Sequence, residues 1–207
     1  MRQTAATRRT TRARPRAAIV GLVLVAVAGI GTLLQQSASP STTSLGQVLG
    51  LDRQGPATGD DGTLPEGVTV FDDEHAGVTN LDPDLLQALR NAATEAAGDG
   101  VELQVTSGWR SRDHQNRLLR EAVAEYGSEE EAARWVATAD TSAHVIGDAV
   151  DIGPSAAAAW LWAHGAPYGL CQIYGNEPWH YELRPEAVDH GCAPPYADPT
   201  QDPRMQR

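Results

Sequence analysis

The chain has 207 residues, 41% apolar content and a formal charge of −11, enough for one compact domain with appendages. All 16 basic residues are arginine, so no Ser-x-x-Lys nucleophile can form, and the His-Glu-x-x-His, Gly-x-Ser-x-Gly and phosphate-loop motifs are absent too. Ten of the arginines and all 27 acids lie beyond residue 50, a net of −17 there, which argues against nucleic acid or any other polyanion as a partner.

Residues 1–16 hold six arginines and no acid, and Ala17 to Leu34 follow as an uncharged apolar run of 18 residues. At about 1.5 Å per residue such a run can span the hydrocarbon of a bilayer. The basic flank then stays in the cytoplasm and the remainder is exported. Its length fits a retained transmembrane signal-anchor better than a secretory signal peptide cleaved near Ser37-Ala38-Ser39. The expected location is the cell membrane, single-pass with the domain outside, or secretion if cleavage occurs. Residues 35–66 read as a flexible linker rich in Ser, Thr, Gly, Pro and Asp. A domain over 67–192 follows, and 193–207, rich in Pro, Asp and Gln, reads as a frayed tail.

Within the domain, Asp82-Pro83 caps a helix whose stripe is Leu85, Leu86, Leu89, Ala92, Ala93 and Ala96, closed by Gly98. Val101 to Thr106 alternate as a strand that delivers a turn over Ser107 to Ser111. A second helix is predicted over Arg112 to Tyr126, with Leu118, Leu119, Ala122 and Val123 inward and Gly127 at its end. Ser128 and Glu131 form a capping box for a third, running to about Ala137. Gly147, Ala149 and Asp151 alternate on one strand face while Val150 and Ile152 turn to the core, and Gly147 is also the turn that brings His144 back toward Asp151. Ser155 to Ala163 reads as a helix whose Trp160 and Trp162 face different ways, followed by paired strands over Gly169 to Tyr174 and Trp179 to Leu183.

The chemistry concentrates in two short stretches, Ser142 to Asp151 and Glu177 to His180. His144, Asp151 and His180 can make a zinc-ligand set of two imidazoles and a carboxylate with a fourth position free, as a catalytic zinc requires; the alternative is two surface histidines and an aspartate that happen to fall at this spacing. Glu177 is the carboxylate left over to take the proton of the attacking water. It precedes Pro178, which favours an extended backbone, and a bend at Pro178 is needed to bring it to the same side as His180. Glu182 shares the strand face of His180 and is either its hydrogen-bond partner or a surface residue. Arg110, on a strand-to-helix turn, suits bidentate capture of a substrate carboxylate. Cys171 and Cys192, the only cysteines, favour a single disulfide in an exported chain.

Ser142, His144, Gly147, Ala149 and Asp151 resemble the Ser-x-His-x-x-Gly-x-Ala-x-Asp signature of VanY-type D-alanyl-D-alanine carboxypeptidases, zinc metallopeptidases of the hedgehog-like fold. Glu177 to His180 is similar to their Glu-x-x-His motif, and Ser107-Gly108-Trp109-Arg110-Ser111 to their Ser-Gly-Tyr-Arg-Ser, with Trp109 for tyrosine. The resemblance implies an α+β domain with a small antiparallel sheet flanked by helices, Zn2+ as cofactor, and peptidoglycan stem peptides as substrate. It implies substrate contacts from Arg110, Gln115 and Ser142. The reaction it implies is removal of a terminal D-alanine. The alternatives are another bond in the wall peptide (an L,D-carboxypeptidase, D,D-dipeptidase or endopeptidase) and a zinc-containing binding module without catalysis. The oligomeric state is left open.

Overall fold

The structure, a computed structural model, describes residues 59–206. The apolar run over 17–34, its basic flank and most of the expected linker lie outside the described residues. Among those described, no helix is long and apolar enough to cross a membrane.

In chain order the helices are α1 (Ala76–Thr79), α2 (Pro83–Gly98), α3 (Arg112–Tyr126), α4 (Glu129–Ala132), α5 (Ala143–Ile146), α6 (Ser155–His164) and α7 (Ala187–His190). The strands are β1 (Gln104–Ser107), β2 (Ala149–Gly153), β3 (Leu170–Gln172) and β4 (His180–Leu183), in one antiparallel sheet of order β1-β2-β4-β3. The α+β class with a small antiparallel sheet is therefore as the sequence implies.

Helix α2 starts where Asp82 accepts the backbone N–H groups of Asp84 and Leu85, at 2.9 and 3.1 Å. Pro83 fills the first helical position, which has no intrahelical donor to lose. Leu85, Ala88, Leu89, Ala92, Ala93 and Ala96 recur at helical spacing and are all buried. They pack with Val105, Val150, Ile152, Tyr181 and the inner side of α6 in the main core. Tyr181 spans that core and donates its hydroxyl to the Ala158 carbonyl at 2.6 Å.

Strand alternation leaves the opposite face of the sheet to Ala149, Asp151, His180 and Glu182. Register pairs Asp151 with His180 and Ala149 with Glu182, so these side chains are direct cross-strand neighbours. The small Ala149 leaves room for the Glu182 carboxylate opposite it. One face of a four-stranded sheet thus makes the core, and the other makes a polar site.

Several expectations are corrected. Gly147 makes the expected turn but is not a strand residue: it ends α5 in the left-handed region, φ 85°, where a Cβ would meet the Asn80 carbonyl oxygen at 2.5 Å. Helix α3 ends at left-handed Gly127 as predicted, but only Gln115 and Ala122 are buried on it. Leu118, Leu119 and Val123 stay half-buried, and the side of the helix that carries Gln115, Leu118 and Ala122 walls a cleft rather than the core. Helix α4 is capped by Ser128 on the Glu131 N–H yet stops after one turn, and the carbonyl of Ala137 is taken by the Gln115 amide at 2.8 Å.

The outer boundaries also differ. Asp61, within the expected linker, accepts the Ser111 N–H on its carbonyl at 2.9 Å and pairs its carboxylate with Arg117 at 2.9 Å. Residues 193–206, expected to fray, instead dock on the domain with Asp198 and Asp202 buried. Cys171 on β3 and Cys192 form the expected disulfide, with Cα atoms 5.5 Å apart.

Candidate metal centre

The turn after β1 organises the first half of the site. A Cβ on Gly108 would lie 2.0 Å from the Gly77 carbonyl oxygen, so only glycine lets the chain pass there. The Gly108 carbonyl accepts Nδ1–H of His144 at 2.8 Å. The Arg110 N–H reaches the His144 carbonyl at 3.1 Å, and the Trp109 indole N–H reaches the Val145 carbonyl at 3.1 Å. The turn therefore grips α5 at both His144 and Val145 and fixes the imidazole tautomer.

The second half comes from the bend at Pro178. The His180 N–H closes a turn onto the Glu177 carbonyl at 3.1 Å, which swings Glu177 to the same side as His180. Glu177 Oε2 lies 3.7 Å from His180 Nδ1. The far nitrogen of His180, Nε2, donates to Glu182 Oε1 at 3.2 Å. Glu182 is 0% exposed, which decides between its two readings: it is the histidine's partner, not a surface residue.

Both imidazoles thus spend their N–H on an acceptor behind them. The atoms left facing forward are His144 Nε2, His180 Nδ1 and Asp151 Oδ1. Their separations are 3.2 Å between the nitrogens, 3.4 Å from His144 to Asp151 and 3.3 Å from His180 to Asp151. Asp151 Oδ1 is buried without a hydrogen-bond partner among the described residues. Three electron-rich atoms so close repel one another unless a cation sits among them. Ligands held at zinc–nitrogen and zinc–oxygen lengths in a tetrahedron are about 3.3 Å apart, so the set fits a zinc ion with one position open.

The electrostatics agree. Burial opposes a charge on His180, yet the adjacent carboxylates of Asp151 and Glu182 hold its pKa up at about 9, so the cluster attracts a cation. Burial and then the Arg110 charge push His144 toward its neutral form. Burial works against the Asp151 anion, but His144, His180 and Arg110 keep it well below the usual carboxylate range. Glu177 is the exception: burial dominates and raises its carboxyl to about 7, and its Oε1 is also unpartnered among the described residues.

A cleft of 410 Å³ opens over these groups, walled by Arg110, Ser142, Trp135, Trp179, Pro199 and Met205. The structure brings all the sequence-predicted site residues to it except the disulfide pair. Arg110 is committed more heavily than a free substrate anchor: Nη2 donates to Asp151 Oδ2 at 2.7 Å, Nε to the Ser107 hydroxyl at 2.7 Å and Nη1 to Gln115 Oε1 at 3.2 Å. Gln115, 1% exposed, stands behind Arg110 as its brace. Ser142 occupies the cap of α5 without a side-chain capping bond, and its side chain is left to the cleft.

Sequence reasoning missed the carbonyl of Gly108, which no side-chain motif can announce, and the tail residues Pro199, Met205 and Arg204. A signal for the tail existed. Asp198-Pro199 and Asp202-Pro203 repeat the cap-then-proline pattern read at Asp82-Pro83, and each opens a short 3-10 turn.

A curated D-alanyl-D-alanine carboxypeptidase of Enterococcus faecalis is 32% identical over 118 residues, 45% of this chain and 44% of that protein. The chain thus spans less than half the length of that relative. Among solved structures, VanYB in complex with D-alanine-D-alanine is 28% identical, with 54% of this chain and 74% of that one covered and a TM-score of 0.50. A glutamate-to-alanine mutant of the vancomycin resistance D,D-pentapeptidase VanY in complex with Zn(II) is 30% identical, covering 50% and 72%, at a TM-score of 0.47. The family model described as VanY, D-alanyl-D-alanine carboxypeptidase, matches residues 78–186. That is just over half of the 207 residues and takes in every ligand candidate and Glu177, so the chain belongs to the VanY family.

Proposed function

We propose that this protein is a zinc-dependent D-alanyl-D-alanine carboxypeptidase that removes the terminal D-alanine from peptidoglycan stem peptides. The observation that carries the reading is the triangle of His144 Nε2, His180 Nδ1 and Asp151 Oδ1, each 3.2–3.4 Å from the others with both imidazole N–H groups already spent. The curated relative's name and the dipeptide bound to VanYB support the choice of bond.

His144, Asp151 and His180 would hold the metal, which when bound supplies Lewis acidity toward the scissile carbonyl and lowers the pKa of water. Glu177 accepts the proton of the attacking water on Oε1 and passes it to the leaving amine. A carboxyl raised to about 7 is matched to both steps near neutral pH. Arg110 holds Asp151 Oδ2 and turns its remaining N–H groups to the substrate carboxylate, which sets the register of cleavage. Gln115 keeps the guanidinium in plane, and the Ser142 hydroxyl offers a further contact. The domain would work outside the reducing cytoplasm, a reading the Cys171–Cys192 disulfide supports, with the apolar run over 17–34 as its membrane tether.

The test is to incubate the zinc-loaded protein with a stem pentapeptide ending in D-Ala-D-Ala and follow D-alanine by mass spectrometry. Wild type is expected to release one D-alanine per peptide, with release abolished in Glu177→Ala and weakened in Arg110→Ala. Zinc bound without any release by wild type would sink the carboxypeptidase reading.

A further inference from the structure

The family match ends at residue 186, yet the chain returns to the site after it. The disulfide sets Cys192 beside β3. From there the backbone runs along the segment that leads into Glu177. The Tyr196 N–H donates to the Ile173 carbonyl at 2.9 Å, and the N–H groups of Gly175 and Asn176 donate to the carbonyls of Tyr196 and Ala197 at 2.7 and 3.2 Å. Two turns capped by Asp198 and Asp202 then place Arg204 against Glu182.

Arg204 grips that carboxylate with both ends of its fork, Nη1 to Oε2 at 2.7 Å and Nη2 to Oε1 at 3.1 Å. Its Nε donates to Asp202 Oδ2 at 2.9 Å, the same oxygen that accepts the Tyr174 hydroxyl at 3.1 Å. Arg184 also reaches Glu182, but through one nitrogen on Oε2 at 2.6 Å. A buried carboxylate needs countercharge, which either arginine supplies. Only the bidentate grip fixes the carboxylate plane, and that plane aims Oε1 at Nε2–H of His180. Holding that N–H backward keeps the Nδ1 lone pair forward, toward Asp151 and His144.

We infer that the C-terminal strap, residues 193–206, is part of the metal site, with Arg204 a positioning residue that orients His180 through Glu182. The inference rests on the reading of His144, Asp151 and His180 as metal ligands. The strap also lends Pro199 and Met205 to the cleft wall, so one segment supports both the ligand set and the approach of the substrate.

The experiment uses the full chain as wild type, Arg204→Met, Arg204→Lys and Arg184→Met, each stripped of metal. Zinc affinity is read by competition with a chromophoric chelator, and ligand geometry by the visible absorption of the cobalt-substituted protein. Circular dichroism and thiol titration of the metal-free proteins check fold and disulfide. Arg204→Met is expected to bind zinc roughly 10–100-fold more weakly, the scale of lost outer partners of a ligand histidine, with an altered cobalt spectrum. Arg204→Lys should recover part of the loss, and Arg184→Met should stay close to wild type. Should Arg204→Met not fold, weakened zinc binding by Arg204→Lys beside an unchanged Arg184→Met supports the same role. Unchanged zinc affinity in Arg204→Met, or equal losses in Arg204→Met and Arg184→Met, would overturn the positioning role. A wild type that takes up no zinc would overturn the metal site itself, before any variant is compared.

Discussion

Arg110 shows how one side chain can serve three partners at once. Its guanidinium contacts Ser107, Gln115 and Asp151 from a single turn, and a lysine could keep the ion pair with Asp151 only by giving up the other two. Arg110→Lys is expected to lower kcat/KM by about 10–100-fold, the equivalent of roughly 1.5–3 kcal/mol for lost charge-assisted hydrogen bonds. Steady-state kinetics with zinc content measured in parallel checks this, and full activity would remove Arg110 from the machinery. The residues that meet in the candidate site were legible in the sequence because their types and spacing are those that such chemistry would require. The pairing of Arg110 with Asp151 was not, because it spans 41 positions and depends on a register no local pattern encodes.

At the scale of elements, α2 was legible to its boundaries: cap, proline and stripe all act locally. Leu89 lies at the centre of that stripe and is fully buried. Leu89→Ala should cost about 2–5 kcal/mol, read as a lower denaturant midpoint with an unchanged slope. Helix α3 was placed correctly, but its inward face was not foreseen, because a half-apolar stripe cannot tell a core from a cleft wall. The segment before α1 was misjudged because its polar residues suggested solvent, whereas Asp61 uses its charge to pin the start of α3. Burial alone would raise the Asp61 carboxyl, but the Thr63 hydroxyl and Arg117 bring it from 3.8 down to about 2. A carboxyl depressed in the folded state stabilises above its unfolded pKa and loses that contribution as pH falls through the folded one. Asp61→Asn should therefore be less stable than wild type at pH 6. Its stability should also fall less than that of wild type between about pH 4 and pH 2. Denaturant titrations across that range measure both, and parallel curves for the two proteins would refute the assignment.

Across the whole molecule, the two ends of the described chain both return to the site, one behind Arg110 and the other behind His180. The cap-then-proline pairs of the tail signal turns but not where they dock, since docking depends on isolated charged contacts and on the disulfide rather than on an apolar stripe. Zinc bound by the native fold alone adds to its stability by mass action, about 2.7 kcal/mol at a hundredfold excess over Kd. Chelation should then lower Tm by roughly 5–15 °C, and re-addition of zinc should restore it. An unmoved Tm would speak against metal in this cluster. The register of β2 on β4 carries a further consequence. Asp151 and His180 face each other across neighbouring strands, and a slip of one residue would send one of them into the apolar layer. A chain that refolded with that slip could keep its helices and its circular dichroism and still be unable to close the ligand triangle. Metal uptake would thus act as a proofreading signal for strand alignment, reporting on the correctness of the fold before any substrate is offered.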